Sequence, residues 1–192
     1  MNTGGITNRI FRFCNTVIGW IPGGLGHANV LASVVFAGMS GSAVADAAGL
    51  GSIEIKAMED AGFDKGFSAA VTAASSTIGP IIPPSIPLIV YACVASNVSV
   101  SNLLIAGIVP GILMAIGLSI AVYIISVRRH YPKMPFPTLR QIWDDFRKAV
   151  LSLLTPVILI GGMLSGVFTA TEAAVVSAVY AFILTVFIYR EV

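Results

Sequence analysis

Apolar positions fall along this chain in runs of helical length, separated by short segments rich in glycine, proline, serine or charge. The run within residues 15–26 is short and is broken at Trp20-Ile21-Pro22-Gly23-Gly24, so residues 1–27 read as the end of a preceding span or an interfacial segment. Residues 28–39 are nearly all apolar or small, yet well short of the roughly 20 residues that cross a hydrocarbon core. They lead into a small-residue tip, residues 40–52, carrying the single acid Asp46. A second short helix follows over residues 53–61, where Glu54, Lys56, Glu59 and Asp60 predict a far end returning to water. A helix, a glycine-rich tip and a returning helix predict a re-entrant hairpin over residues 28–65.

Beyond it, residues 66–127 contain no Asp, Glu, Lys or Arg, enough for two spans. The first, residues 66–97, is interrupted by Pro80, Pro83, Pro84 and Pro87 with Gly79 among them, flanked by Ser75, Ser76, Thr77 and Ser85. No helix continues through Pro83-Pro84. An uncharged polar loop, residues 96–102, precedes a full-length span over residues 102–128, with Pro110 near its start. A basic loop follows at 129–148. It contains a candidate surface helix, residues 141–151, with Ile142, Trp143, Phe146 and Val150 on one face. Two more spans are predicted at 149–168 and 171–190, with Thr171 placed to cap the second and Glu172 at its positive end.

Composition fits this pattern. Of 192 residues, 56% are hydrophobic and 10% charged, and the mean hydropathy is +0.91. A soluble domain carries about a quarter charged residues, so the expected class is an all-α integral membrane protein. The net charge of +2 argues for no nucleic-acid partner. Short loops rich in Lys and Arg stay in the cytoplasm. That rule puts 129–148 inside, 96–102 outside, 58–65 inside and 169–172 outside, leaving Glu172 as the lone outside charge after Lys56. The polar stretch after Met1 and the short apolar run after Arg12 are not expected to form a signal peptide. Cys14 and Cys93 lie in apolar surroundings without metal or disulfide spacing and are expected to be buried packing residues. His27 is expected to be structural or interfacial.

Two segments carry the candidate chemistry. Lipid cannot satisfy the backbone groups that a helix break frees, so the break belongs in protein or a polar cavity, where secondary transporters present carbonyls and helix ends to ions and substrates. The plainer reading is a proline kink with hydroxyls bonded back to the helix. One proline fits that; four in eight residues favour a lining loop. Proline removes donors and leaves carbonyls, and carbonyls with hydroxyls are hard ligands for an alkali cation. The candidate site is therefore Ser40, Gly41, Ser42 and Asp46 on the tip, facing Ser75, Ser76, Thr77, Gly79, Pro80, Pro83 and Ser85, with an alkali cation held through Ser42, Ser76 and Gly79. Asp46 reads equally as ligand or as cap of a helix starting near Ala47. Gly38-Met39-Ser40-Gly41 also matches the GxSG nucleophile motif of intramembrane proteases. The only later histidine, His130, sits in the basic loop, so no base is placed to activate the serine, and an enzyme is not expected.

At Gly41-Ser42-Ala43-Val44-Ala45-Asp46-Ala47-Ala48-Gly49-Leu50-Gly51 and Ala73-Ala74-Ser75-Ser76-Thr77-Ile78-Gly79-Pro80-Ile81-Ile82-Pro83-Pro84-Ser85 the chain closely resembles the large permease subunit, the DctM type, of tripartite ATP-independent periplasmic (TRAP) transporters. Asn2-Thr3-Gly4-Gly5-Ile6-Thr7, Ala106-Gly107-Ile108-Val109-Pro110-Gly111 and Phe168-Thr169-Ala170-Thr171-Glu172-Ala173-Ala174 resemble further family blocks in the family's order. The resemblance implies an internal piece of a longer protein with two inverted halves. It implies an elevator-type, sodium-coupled symporter with no other cofactor, multi-pass in a bacterial inner membrane. It also implies a small permease subunit and a periplasmic substrate-binding protein as partners, and an organic anion as cargo: a C4-dicarboxylate, sialic acid or a similar carboxylate. The alternative expectation is a non-transporting fragment or membrane scaffold.

Overall fold

The computed structural model describes residues 5–95, 97–165 and 167–189; the expectations that fall on Met1, Asn2, Thr3, Gly4, Ser96, Gly166 and Arg190 lie outside these. Its elements in order are α1 (Ile6–Ile18), α2 (Gly24–Ser40), α3 (Ala43–Gly49), α4 (Gly51–Asp60), α5 (Lys65–Ser76), α6 (Ile86–Val94), α7 (Val100–Arg128), α8 (Leu139–Leu164) and α9 (Ala170–Ile183). A π-helical turn (Leu184–Tyr189) follows α9. All regular structure among the described residues is helical. Two helices, α7 and α8, are long and apolar enough to cross a membrane.

The central element is α2. Apart from His27 and Asn29 its residues are apolar or small, and a helix of that composition belongs in the interior. It packs against α1, α5, α7 and α8. One face carries Val30 and Ala37 into a core with Met58, Phe67, Val71, Ile78, Ile82 and Val122. The other carries Ala28 and Ala32 against Ile6, Ile10, Phe11 and Cys14. A smaller cluster of Leu104, Leu159, Met163 and Ala173 ties α7, α8 and α9 together.

One end of this bundle is closed by aromatic and polar contacts. Tyr131, just past α7, stacks on Phe63 at 4.5 Å and lies 5.1 Å from Phe67, which fastens the α4–α5 turn to the end of α7. Arg129 donates to the Tyr131 hydroxyl and sits 3.8 Å from Asp64. That bond first, and the Asp64 carboxylate with it, holds the guanidinium above its usual range. At the same end Met134 N–H donates to the Gly19 carbonyl at 3.0 Å and Trp20 lies 5.3 Å from Phe136. The α4–α5 turn and the loop after α7, both assigned to one side of the membrane by charge, share one end of the molecule.

Several boundaries differ from the sequence expectation. Helix α2 starts at Gly24 rather than Ala28, because Gly23, at φ 75°, is the residue that leaves helical space. Ser99 caps α7, so Val100, Ser101 and Asn102 are helical rather than loop. The surface helix and the following span are one continuous helix, α8. No breaker separates Gln141 from Leu151, and Pro156 lies inside it. Trp143 stays exposed at 60%. Helix α9 is capped by Thr169, not Thr171: Glu172 N–H donates to Thr169 Oγ1, while Thr169 N–H donates to Glu172 Oε2 at 2.9 Å. This reciprocal box outcompetes a single hydroxyl two residues later. Cys14 is buried, but Cys93 is exposed on α6. Glu54 does not return to water. With Gly51 and Met58 it lies on the buried face of α4, fully enclosed.

Candidate functional site

The site is the junction of the α2–α3 tip with the break between α5 and α6. Gly41 ends α2 at φ 60°, a conformation that a side chain disfavours. A Cβ there would also collide with the Pro84 carbonyl. In return the Gly41 carbonyl accepts from Ile86 N–H at 3.3 Å, so main chain joins the tip to the far side of the break. Ser42 then caps α3, its hydroxyl accepting from Ala45 N–H at 3.4 Å.

Asp46 is not a cap. It lies in the first turn of α3, fully enclosed, and accepts from the Ser40 hydroxyl. Its second oxygen, Oδ2, has no hydrogen-bond partner. That oxygen points at the break: a Cβ on Gly79 would stand 2.8 Å from it, and 3.3 Å from the Ser42 carbonyl carbon. A side chain at Gly79 would press on the Asp46 carboxylate and force it to shift.

The break itself is compact. Ile81 and Ile82 N–H groups donate to the Ile78 carbonyl at 3.0 and 3.1 Å, and Ile78 and Ile82 plug into the core. Ser85 donates to the Pro80 carbonyl and accepts from Leu88 N–H at 3.2 Å, so it closes the loop and caps α6. Pro83 is buried and joined to Pro84 by a cis bond.

The structure thus brings Ser40, Gly41, Ser42 and Asp46 against Gly79 and the Pro80–Ser85 loop. The hydroxyls of Ser75, Ser76 and Thr77, at the end of α5, are engaged within the protein. Ser76 donates to the Thr72 carbonyl at 2.7 Å and Thr77 donates to Ala74 at 2.6 Å; Ser75 donates to Asn29 Oδ1 at 2.7 Å. Thr77 is exposed. A hydroxyl that spends its one proton this way keeps lone pairs for a cation, so back-bonding and ligation are compatible for Ser76.

Asn29 was not legible as part of the site. Fully buried on α2, it donates to Thr72 Oγ1 at 2.7 Å and accepts from Ser75, locking the first hairpin leg to the broken helix. An amide in an otherwise apolar stretch was the available signal. Glu54 is the second residue missed: both its oxygens are buried without a hydrogen-bond partner.

Apolar helices around an interrupted one, two of them long and apolar enough to cross a membrane, are the architecture of a helical membrane protein. The whole chain, residues 1–192, matches the family described as tripartite ATP-independent periplasmic transporter, DctM component, and the chain belongs to that family. It is 48% identical over 191 residues to the sialic acid TRAP transporter permease protein SiaT of Haemophilus influenzae, covering 100% of this chain and 31% of that protein. It is 50% identical over 190 residues to the sialic acid TRAP transporter large permease protein SiaM of Vibrio cholerae, covering 99% of this chain and 44% of the relative. A C4-dicarboxylate TRAP transporter large permease protein, DctM of Vibrio cholerae, is 43% identical over 191 residues, covering 100% and 42%. The chain therefore spans less than half the length of these relatives. They are permease components, not enzymes.

Proposed function

We propose that this segment supplies the first half of the ion and substrate site in the membrane permease of a TRAP system that imports a small organic anion down a sodium gradient. Family membership supports the transport class, and relatives that carry sialic acid or C4-dicarboxylates in their names support a carboxylate cargo. The observation that carries the site is the enclosed Asp46 Oδ2, unpartnered and aimed at Gly79. A hard cation wants about five or six oxygens, more than either loop offers alone. Hydroxyls of Ser42 and Ser76 and the Gly79 carbonyl are the ligands we assign to sodium, with Asp46 supplying negative charge or holding the tip in shape.

In this reading α2 to α4 form a re-entrant hairpin. At 17 residues α2 is about 25 Å long, short of the roughly 30 Å core. The hairpin moves with the broken helix as one elevator body in a bacterial inner membrane, with the α4–α5 turn in the cytoplasm. A small permease subunit and a periplasmic binding protein complete the three components that the family description implies. A non-transporting scaffold is the weaker reading, since a scaffold needs no enclosed acid at a helix break.

Uptake of labelled sialic acid or succinate is measured in proteoliposomes holding a full-length permease with this segment, its small subunit and a binding protein. The proposal expects uptake to collapse when potassium replaces sodium. Equal uptake in the two salts would refute the coupling.

A further inference from the structure

Gly107 and Gly111 lie one turn apart on one face of α7, both buried, while Pro110 beside them is exposed. Glycine is among the poorest helix formers, so a pair inside a helix needs a reason. Here the reason is the approach of the break. A Cβ on Gly107 would collide with the Ile81 carbonyl oxygen and stand 3.1 Å from Leu88 Cδ1. A Cβ on Gly111 would collide with Ile82 Cγ1 and stand 3.2 Å from Ile82 Cδ1. Gly117, farther along the same helix, is exposed, and a Cβ there meets nothing within 4 Å. The need for glycine therefore belongs to the face of α7 turned to the break.

That face touches the turn that carries Gly79. The Ile81 and Ile82 N–H groups both donate to the Ile78 carbonyl, which encloses Gly79 and Pro80 in one turn. At its start the turn meets the tip, through Gly79 against Asp46 Oδ2 and the Ser42 carbonyl carbon. At its end it meets α7, through Ile81 and Ile82. A main-chain carbonyl cannot swing aside as the end of a flexible side chain can. A methyl on Gly107 must therefore move either the turn or α7. Helix α7 has little room to retreat, because it also packs along α2, with Val122 in the core beside Val30 and Met58. The turn is the part that yields.

We propose that Gly107 is a positioning residue for the junction of tip and break: with Gly111 it lets α7 lie against the main chain of the turn, and so sets where the Gly79 carbonyl stands relative to Ser42. The inference rests on the reading of that junction as a sodium site, and it gives α7 no ligand of its own. A binding constellation must keep its geometry to within about 0.5 Å. Displacing the turn by that much weakens the hold on the ion while the helices stay assembled.

The test measures uptake against sodium concentration in proteoliposomes holding a full-length permease with this segment, its small subunit and a binding protein. Gly107→Ala should raise the half-maximal sodium concentration about fivefold or more, the scale of one weakened contact to the ion. Gly111→Ala should raise it too, and adding Ile82→Ala, which removes the atoms that the new methyl meets, should bring it back toward wild type. Gly117→Ala, the same change on an open face of the same helix, should leave it unmoved. A merely structural role would lower yield or maximal rate and leave the half-maximal concentration where it was. That result in Gly107→Ala, with wild-type uptake sodium-dependent, would overturn this inference and leave the sodium reading standing. An equal shift in Gly117→Ala, or failure of both Gly107→Ala and Gly111→Ala to assemble, would overturn it as well. Wild-type uptake indifferent to sodium would sink the sodium reading and this inference together.

Discussion

Gly41 and Gly79 are the residues on which the junction depends most directly. Gly41 combines a left-handed backbone with the Pro84 carbonyl packed where a Cβ would sit, and Gly79 leaves a gap that Asp46 Oδ2 fills. Gly41→Ala is expected to cost about 1–3 kcal/mol through strain and displacement of the break. A lower thermal midpoint in detergent and reduced uptake would show it. Gly79→Ala has ordinary backbone freedom, so its predicted effect is selective. Uptake should fall while the thermal midpoint moves little, because the added methyl presses on the carboxylate rather than the core. Equal, wild-type-like uptake in both variants would remove the case for close approach. Asp46 and its neighbours were legible in sequence because an acid among small apolar residues is conspicuous. Its orientation was not, since which of Ser42 or Asp46 caps a helix depends on where α3 begins, and Ser42 wins by one turn.

Among the elements, the broken helix was the most legible, because Pro83-Pro84 forbids a continuous helix whatever surrounds it. The structure ends α5 at Ser76 and starts α6 at Ile86. The fusion of the amphipathic segment with the span after it was not legible. Charge and exposure change along α8 while the backbone does not, and only packing on α1 shows why. Arg12 pairs with Asp145 at 3.1 Å and Thr16 donates to it at 2.6 Å, which anchors the wet end of the same helix. Asn29 is the corresponding clasp at the site, holding α2 to α5 through Thr72 and Ser75. Asn29→Leu takes the donor from Thr72 Oγ1 and leaves Ser75 only the Thr72 carbonyl at 3.0 Å, and should destabilise by about 1–3 kcal/mol. Its effect on the thermal midpoint should nearly vanish when Thr72→Val and Ser75→Ala are already present. A full additive loss in the triple variant would mean that Asn29 acts through something other than this network.

At the scale of the whole molecule, two independent lines place the α4–α5 turn and the loop after α7 on one side. Their charges do so by the positive-inside rule, and the Phe63–Tyr131 and Asp64–Arg129 contacts do so by geometry. A membrane-impermeant maleimide should therefore reach cysteines at Lys65 and Lys133 only after the cytoplasmic face is opened, and both together. Labelling of one from outside and the other from inside would break the arrangement described. What sequence conveyed at this scale was the order of apolar runs and the family's motifs. What it withheld was the three-dimensional consequence, a largely buried α2 that meets the break by way of two glycines.

The central claim is that tip and break share one sodium ion. Its most direct test is the sodium concentration for half-maximal uptake in a full-length permease with this segment, compared with Ser42→Ala and Ser76→Ala. Each hydroxyl is close to a backbone partner that it can lose without unfolding a helix, so both variants should express and assemble. The account predicts that each raises the half-maximal concentration by about fivefold or more, as expected for loss of one ligand to an ion. An unmoved value in both, with expression intact, would contradict it.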